Sequence, residues 1–175
     1  MSAQGPVVIL VGPPGSGKTT VGRVLAGTLG VPFRDTDADI EATAGKAISA
    51  IFTEDGERVF RAHEEEAVVR ALGEHPGVLA LGGGSILAER TRARLAGHPV
   101  VFLNVGVSEG VQRTGLSVAR PLLAGVNPRS RFKELLEARL PLYREVATAE
   151  VATDGRSPGQ VVIDVLNALG LVGTA

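Results

Sequence analysis

Residues Gly12-Pro13-Pro14-Gly15-Ser16-Gly17-Lys18-Thr19 carry the spacing G-x-x-x-x-G-K-[ST] of a phosphate-binding loop. Glycines in such a loop let successive backbone N–H groups turn toward one point and form an anion nest. The N-terminus of a following helix adds free donors and partial positive charge. Lys18 is expected to reach the β- and γ-phosphates, and the Thr19 hydroxyl to ligate Mg²⁺. The chemistry indicated is binding of a nucleoside triphosphate. The loop by itself does not separate a kinase from an ATPase or a switch.

Other residues stand where charge needs a reason. Asp35 and Asp37 lie two apart at the end of an apolar run, so both can point the same way. Near a phosphate loop one could hold a metal through water and the other could accept a hydroxyl proton. The plainer reading is helix capping by Thr36 or Asp37. Gly82-Gly83-Gly84 would let backbone approach a ligand closely, or simply turn the chain. On a helix over about 57–72, Phe60, Ala67, Val68 and Ala71 form a stripe, with Glu64 inside it and Arg61 at its edge. An inward carboxylate needs a partner. A solvated pair, Glu57–Arg61 or Arg61–Glu65, is the alternative. On a helix from about 129, Phe132, Leu135, Leu136 and Leu140 define a face with Arg139 near its middle. A guanidinium there must meet an anion, either Glu64 or a ligand carboxylate. Pro141 is expected to kink or end that helix, which leaves Tyr143 without a phase. For Arg113, Arg120 and Arg156 spacing is silent, and each taken singly reads as a surface charge.

These residues need elements to hold them. Strand-like runs are Val7–Val11, Val31–Asp35, Val78–Leu81, Val100–Leu103 and Glu150–Thr153. Helical patterns fall between them, at about 18–29, 37–45, 57–73, 86–96, 107–114, 129–139 and 158–169. The alternation predicts an α/β domain with a parallel sheet, whose ligands sit at the carboxyl ends of the strands. Gly12–Thr19, Asp35–Asp37 and Gly82–Gly84 all fall at such ends. The stretch from Thr114 to Pro128 resists regular assignment, and Leu171–Ala175 is expected to fray.

Composition narrows the classes. A length of 175 residues fits one domain, and 44% hydrophobic residues with 3% aromatics predict a mostly aliphatic core. A net charge of -1 argues against a broad nucleic-acid surface. There are no cysteines, hence no disulfide and no thiolate metal site. No basic segment precedes the first apolar run, which is too short for a signal peptide or a membrane span. The expectation is a cytoplasmic protein.

Taken in order, Gly12–Thr19, Asp35-Thr36-Asp37, Ile51-Phe52, Gly56-Glu57, Phe60-Arg61, Glu64, Leu81–Gly84, Arg120-Pro121-Leu122-Leu123 and Arg139-x-Pro141-Leu142-Tyr143 resemble the shikimate kinases, a family of nucleoside-monophosphate-kinase-like P-loop kinases. The resemblance runs from about residue 7 to 168. It implies a single kinase domain over 1–175 with the three-layer P-loop NTPase fold. The sheet would have five parallel strands in order 2-3-1-4-5 flanked by helices. A substrate-binding helical region would span about 37–72, and a mobile lid about 114–128. The implied reaction moves the γ-phosphoryl of ATP to the 3-hydroxyl of shikimate, a step toward chorismate and the aromatic amino acids. Gly15, Ser16, Gly17, Lys18, Thr19 and Thr20 would wrap the phosphates. One Mg²⁺ would be held by Thr19 and, through water, by Asp35. Asp37 would bind substrate hydroxyls and act as base. Arg61, Arg139 and the Gly83 N–H would hold the substrate carboxylate. Arg120 would reach the ATP phosphates from the lid, and Arg156 would lie by the adenine, with Arg113 a further candidate there. The implied partners are ATP and shikimate, with no nucleic acid and no membrane, in a monomer. Another small hydroxy acid such as gluconate is the alternative substrate, and a nucleotide-dependent regulatory module the alternative class.

Overall fold

The computed structural model describes residues 5–114 and 128–171. Strand β1, Val8–Val11, lies at the centre of a five-stranded parallel sheet. It pairs on one side with β3, Val78–Ala80, and on the other with β4, Val100–Asn104. Outside these lie β2, Phe33–Asp35, and β5, Ala149–Ala152, which gives the order β2-β3-β1-β4-β5. This is the 2-3-1-4-5 order implied by the resemblance.

Side chains alternate across a strand, so β1 feeds two cores. Val8 and Leu10 pack with Val21 and Leu25 of α1, Lys18–Leu29, and with Val161 and Val165 of α8, Pro158–Ala168. Ile9 and Val11 pack on the opposite face with Val68 and Ala71 of α4, Glu57–Glu74, and with Tyr143 of α7, Pro128–Val146. Covering both faces is why β1 and β3 read as unbroken apolar runs. A third cluster, Ile40, Ile48, Ile51, Phe60 and Ala67, joins α4 to α2, Thr36–Ala44, and to a short helical stretch. That stretch is α3, Ile48–Ala50, followed by a π-helical turn, Ile51–Asp55. The Phe52 and Phe60 rings lie 4.6 Å apart there. The remaining helices are α5, Glu89–Leu95, after a 3₁₀ turn at Ser85–Leu87, and α6, Val107–Thr114.

Two expectations need correction. The sequence pattern assigns no element between 46 and 56, yet helical backbone covers Ile48–Asp55. Its apolar anchors, Ile48 and Ile51, span too few residues to show a period. The helix expected over 129–139 runs instead from Pro128 to Val146, straight through Pro141. An interior proline costs about 3 kcal/mol. Tyr143 offsets this by full burial, by stacking on Phe102 at 4.9 Å, and by a hydrogen bond to backbone. The segment expected to form a lid lies, apart from its two end residues, outside the described residues, as does Arg120 within it.

Candidate active site

The loop joining β1 to α1 holds Gly15 and Gly17 at φ 80° and 90°, a region that favours glycine. Gly17 caps α1 without a side-chain bond, and no acidic residue sits in the first turn. The positive end of the helix is therefore left for an anion. Lys18 Nζ donates to the carbonyls of Gly12 (2.7 Å) and Pro13 (3.0 Å), which holds the ammonium over its own loop. The Ser16 hydroxyl is buried without a hydrogen-bond partner among the described residues.

Behind the loop is a cavity of about 240 Å³ lined in part by Ser16, Gly17, Thr20, Arg113, Thr153 and Arg156. Arg113 donates to the Gly15 carbonyl (2.9 Å) and to Thr153 Oγ1 (3.3 Å) and pairs with Glu109. Arg156 forms an ion pair with Asp164 at 2.7 Å. The loops after β4 and β5 also exchange carboxylates. Asp154 accepts from Gly106 N–H with both oxygens (2.9 and 3.0 Å), and Glu109 accepts from Gly155 N–H (3.1 Å).

The cap of α2 is Asp35, not Thr36 or Asp37. Its Oδ1 accepts from Asp37 N–H at 2.9 Å, so capping and the site share this side chain. Its Oδ2 accepts from Thr19 Oγ1 at 3.0 Å. Burial and then the charge of Asp37 push the Asp35 carboxyl above its ordinary range, against hydrogen bonds from Asp37 N–H and Thr19 and the Lys18 charge. A divalent cation would relieve that repulsion. Among the described residues no group of three His, Cys, Asp or Glu side chains forms a metal cage. A hexacoordinate ion that keeps its waters and binds phosphate oxygens needs only one or two protein oxygens, a number the Thr19–Asp35 pair could provide.

The glycines after β3 are where the other groups converge. A Cβ on Gly82 would lie 2.6 Å from Asp37 Oδ1 and 2.9 Å from Glu64 Oε2. One on Gly84 would collide with the Arg61 guanidinium, and one on Gly83 would crowd Pro14 Cδ (3.2 Å) and the Gly12 carbonyl (3.3 Å). Gly82 N–H donates to the buried Thr36 Oγ1 (3.2 Å), and the Gly83 carbonyl accepts from the Tyr143 hydroxyl (2.6 Å). Among the described residues, neither Gly83 N–H nor Gly84 N–H has an acceptor.

Both readings of Arg61 hold together. It pairs with the exposed Glu57 at 3.3 Å and with Glu64 at 2.8 Å. Glu64 is only 3% exposed, and its Oε2 has no hydrogen bond of good geometry among the described residues, with the Ser85 hydroxyl beside the carboxyl. Burial raises its carboxyl above the ordinary value of 4.5; Arg61 opposes this and the Asp37 charge adds to it. The folded state therefore holds this proton more tightly than the unfolded chain does. The associated stability is full below the unfolded value and is lost as pH rises through the raised one. Melting curves of the ligand-free protein should show this decline. Glu64→Gln should flatten it in part, since Asp35 shifts the same way; an identical slope in the variant would rule Glu64 out as the source.

Arg139 is 5% exposed on α7. Glu64, one of the two anions expected for it, is taken by Arg61. Among the described residues no ion pair or hydrogen bond engages the Arg139 guanidinium. Both α4 and α7, the helices of Arg61 and Arg139, pack on the Ser85–Leu87 turn, and the Arg61 guanidinium lies against Gly84 just before it. The structure thus gathers the phosphate loop, Asp35, Asp37, Gly82–Gly84 and Arg61. Arg113 and Arg156 stand on the cavity side.

Three residues of this region escape sequence reasoning. Thr36 reads as a cap candidate and not as the acceptor for Gly82 N–H, Thr153 carries no periodic signal, and Tyr143 is left without a phase by the break expected at Pro141. Tyr143 could have been found as the i+4 neighbour of Arg139 had the helix been continued.

Comparison with known proteins gives a consistent result. The family model for shikimate kinase matches residues 14–170. A shikimate kinase of Saccharopolyspora erythraea is 69% identical over 157 residues, 90% of this chain and 90% of that protein. The solved shikimate kinase of Acinetobacter baumannii in complex with shikimate superposes with a TM-score of 0.92 at 37% identity, covering 98% of this chain and 96% of that one. A gluconokinase from Sinorhizobium meliloti, with a TM-score of 0.55, 22% identity and coverage of 97% and 94%, shares the fold alone.

Proposed function

This chain belongs to the shikimate kinase family, and from that premise we propose how its residues move the γ-phosphoryl of ATP to the 3-hydroxyl of shikimate. The observation that carries the reading is Arg139, a guanidinium buried on an apolar helix face with no carboxylate on it among the described residues. A small carboxylic acid supplies the missing charge, and an arginine fork meets it bidentately.

Gly15, Ser16, Gly17, Lys18, Thr19 and Thr20 hold the triphosphate, with Arg113 and Arg156 on the side of the base. The Thr19 hydroxyl and, through water, Asp35 would hold one Mg²⁺, which when bound would neutralise charge on the triphosphate. Arg61, Arg139 and the Gly83 N–H fix the shikimate carboxylate. Asp37 binds the substrate hydroxyls and takes the proton from the 3-hydroxyl. That oxygen forms the new bond to the γ-phosphorus as the bond to the β-phosphate bridge breaks, and ADP leaves. Lys18 and Arg120 stabilise the charge that spreads over the transferring oxygens. Phosphoryl transfer asks the protein for positioning and charge and little covalent work. Residues 114–128 act as a lid over this site that excludes water. We further propose a single domain acting as a monomer in the cytoplasm, on two small molecules and without nucleic acid or membrane. The net charge of -1 supports the absence of a polyanion surface, and no described helix is long and apolar enough to cross a membrane.

The test is ADP release by the purified protein with Mg²⁺ and ATP. Release is expected only when shikimate is added, with shikimate 3-phosphate as product. Turnover with gluconate but not shikimate, or none with either, would overturn the reading.

A further inference from the structure

Tyr143 does nothing in the chemistry just described, yet it touches the site's backbone from below. It lies one helical turn beyond Arg139 on α7, fully buried, with its ring stacked on Phe102 of β4. Its hydroxyl donates to the Gly83 carbonyl at 2.6 Å, across 60 residues of sequence. A trans peptide is planar, with C=O and N–H on opposite sides. No peptide bond here is cis. Pulling the Gly83 carbonyl toward the core therefore sets the Gly83–Gly84 plane, turns the Gly84 N–H away from the core and fixes one side of the residue whose own N–H meets the carboxylate. Gly84 is also the residue against which the Arg61 guanidinium lies. A buried phenol could satisfy its hydroxyl on any nearby carbonyl. This one takes the carbonyl that joins the helix of Arg139 to the glycine turn.

We propose that Tyr143 is a positioning residue. Its hydroxyl couples α7 to the Gly83–Gly84 peptide and holds Arg139 and the glycine turn in one register, so that both meet the acceptor's carboxylate together. The proposal rests on the carboxylate reading of the site given above.

Tyr143→Phe keeps the ring on Phe102 and removes only the hydroxyl. The loss of one buried hydrogen bond is expected to raise KM and Kd for shikimate about three- to tenfold. Affinity for ATP and kcat should stay within about twofold, inside the spread of minor contacts. A shikimate analogue with the carboxylate reduced to a hydroxymethyl group should bind wild type and variant equally. Equal weakening of shikimate, analogue and ATP would make Tyr143 a packing residue and overturn the proposal, as would no change for shikimate. Wild-type turnover in the same assay separates the two readings: with no shikimate turnover the carboxylate reading itself fails. A measurement on the wild type covers poor folding of the variant. The Tyr143 hydroxyl proton resonance should move on adding shikimate and stay put on adding ATP; a resonance indifferent to shikimate overturns the coupling.

Discussion

Replacing Asp37 by asparagine is expected to lower kcat by about 10²- to 10⁴-fold, the range for loss of a positioned general base. ATP should bind as before, because the Thr19–Asp35 contact does not use this carboxylate. The fold should not suffer either. The Asp37 charge pushes up the carboxyls of both Asp35 and Glu64, so Asp37→Asn lifts a repulsion within one buried cluster. The expected signature is a near-inactive enzyme with an unchanged or higher melting temperature. It is read by steady-state kinetics, nucleotide titration and thermal melts. Turnover within tenfold of wild type would remove Asp37 from the role of base.

Arg139→Ala should raise KM for shikimate by about 30- to 1000-fold, as expected for truncating one side of a desolvated charge pair. KM for ATP should move little. Stability is the discriminating readout. A buried charge with no ion-pair partner among the described residues is a burden on the ligand-free fold, so its removal should leave the melting temperature level or higher. Were Arg139 a structural strut, stability and both affinities would drop together. Arg139→Lys should recover only part of the affinity, because an ammonium lacks the two-pronged fork.

Much of this arrangement is legible in the residues because it rests on local rules. The phosphate loop needs only its glycines and the strand and helix beside it. Glu64 and Arg139 stand out as charges on apolar faces, and both are buried. What is not legible depends on contacts far apart in sequence. Nothing near Tyr143 says that an aromatic stack on Phe102 will carry a helix across Pro141. Nothing near Arg139 says that Arg61, three residues from Glu64, claims that carboxylate first. The π-helical turn at Ile51–Asp55 closes against Phe60 and Ile40, so its geometry is set by the cluster around it.

The loop after β4 with the first turn of α6, and the loop after β5, hold each other by reciprocal carboxylate-to-amide bonds, Asp154 on Gly106 and Glu109 of α6 on Gly155. A shift of one loop alone strains bonds running in both directions, so they behave as a single clasp. An insertion or deletion in either would break the register of both. Length in this part of the molecule can therefore change only as a matched pair, and transplanting the cavity beside the phosphate loop into another P-loop kinase means moving the two segments as one cassette.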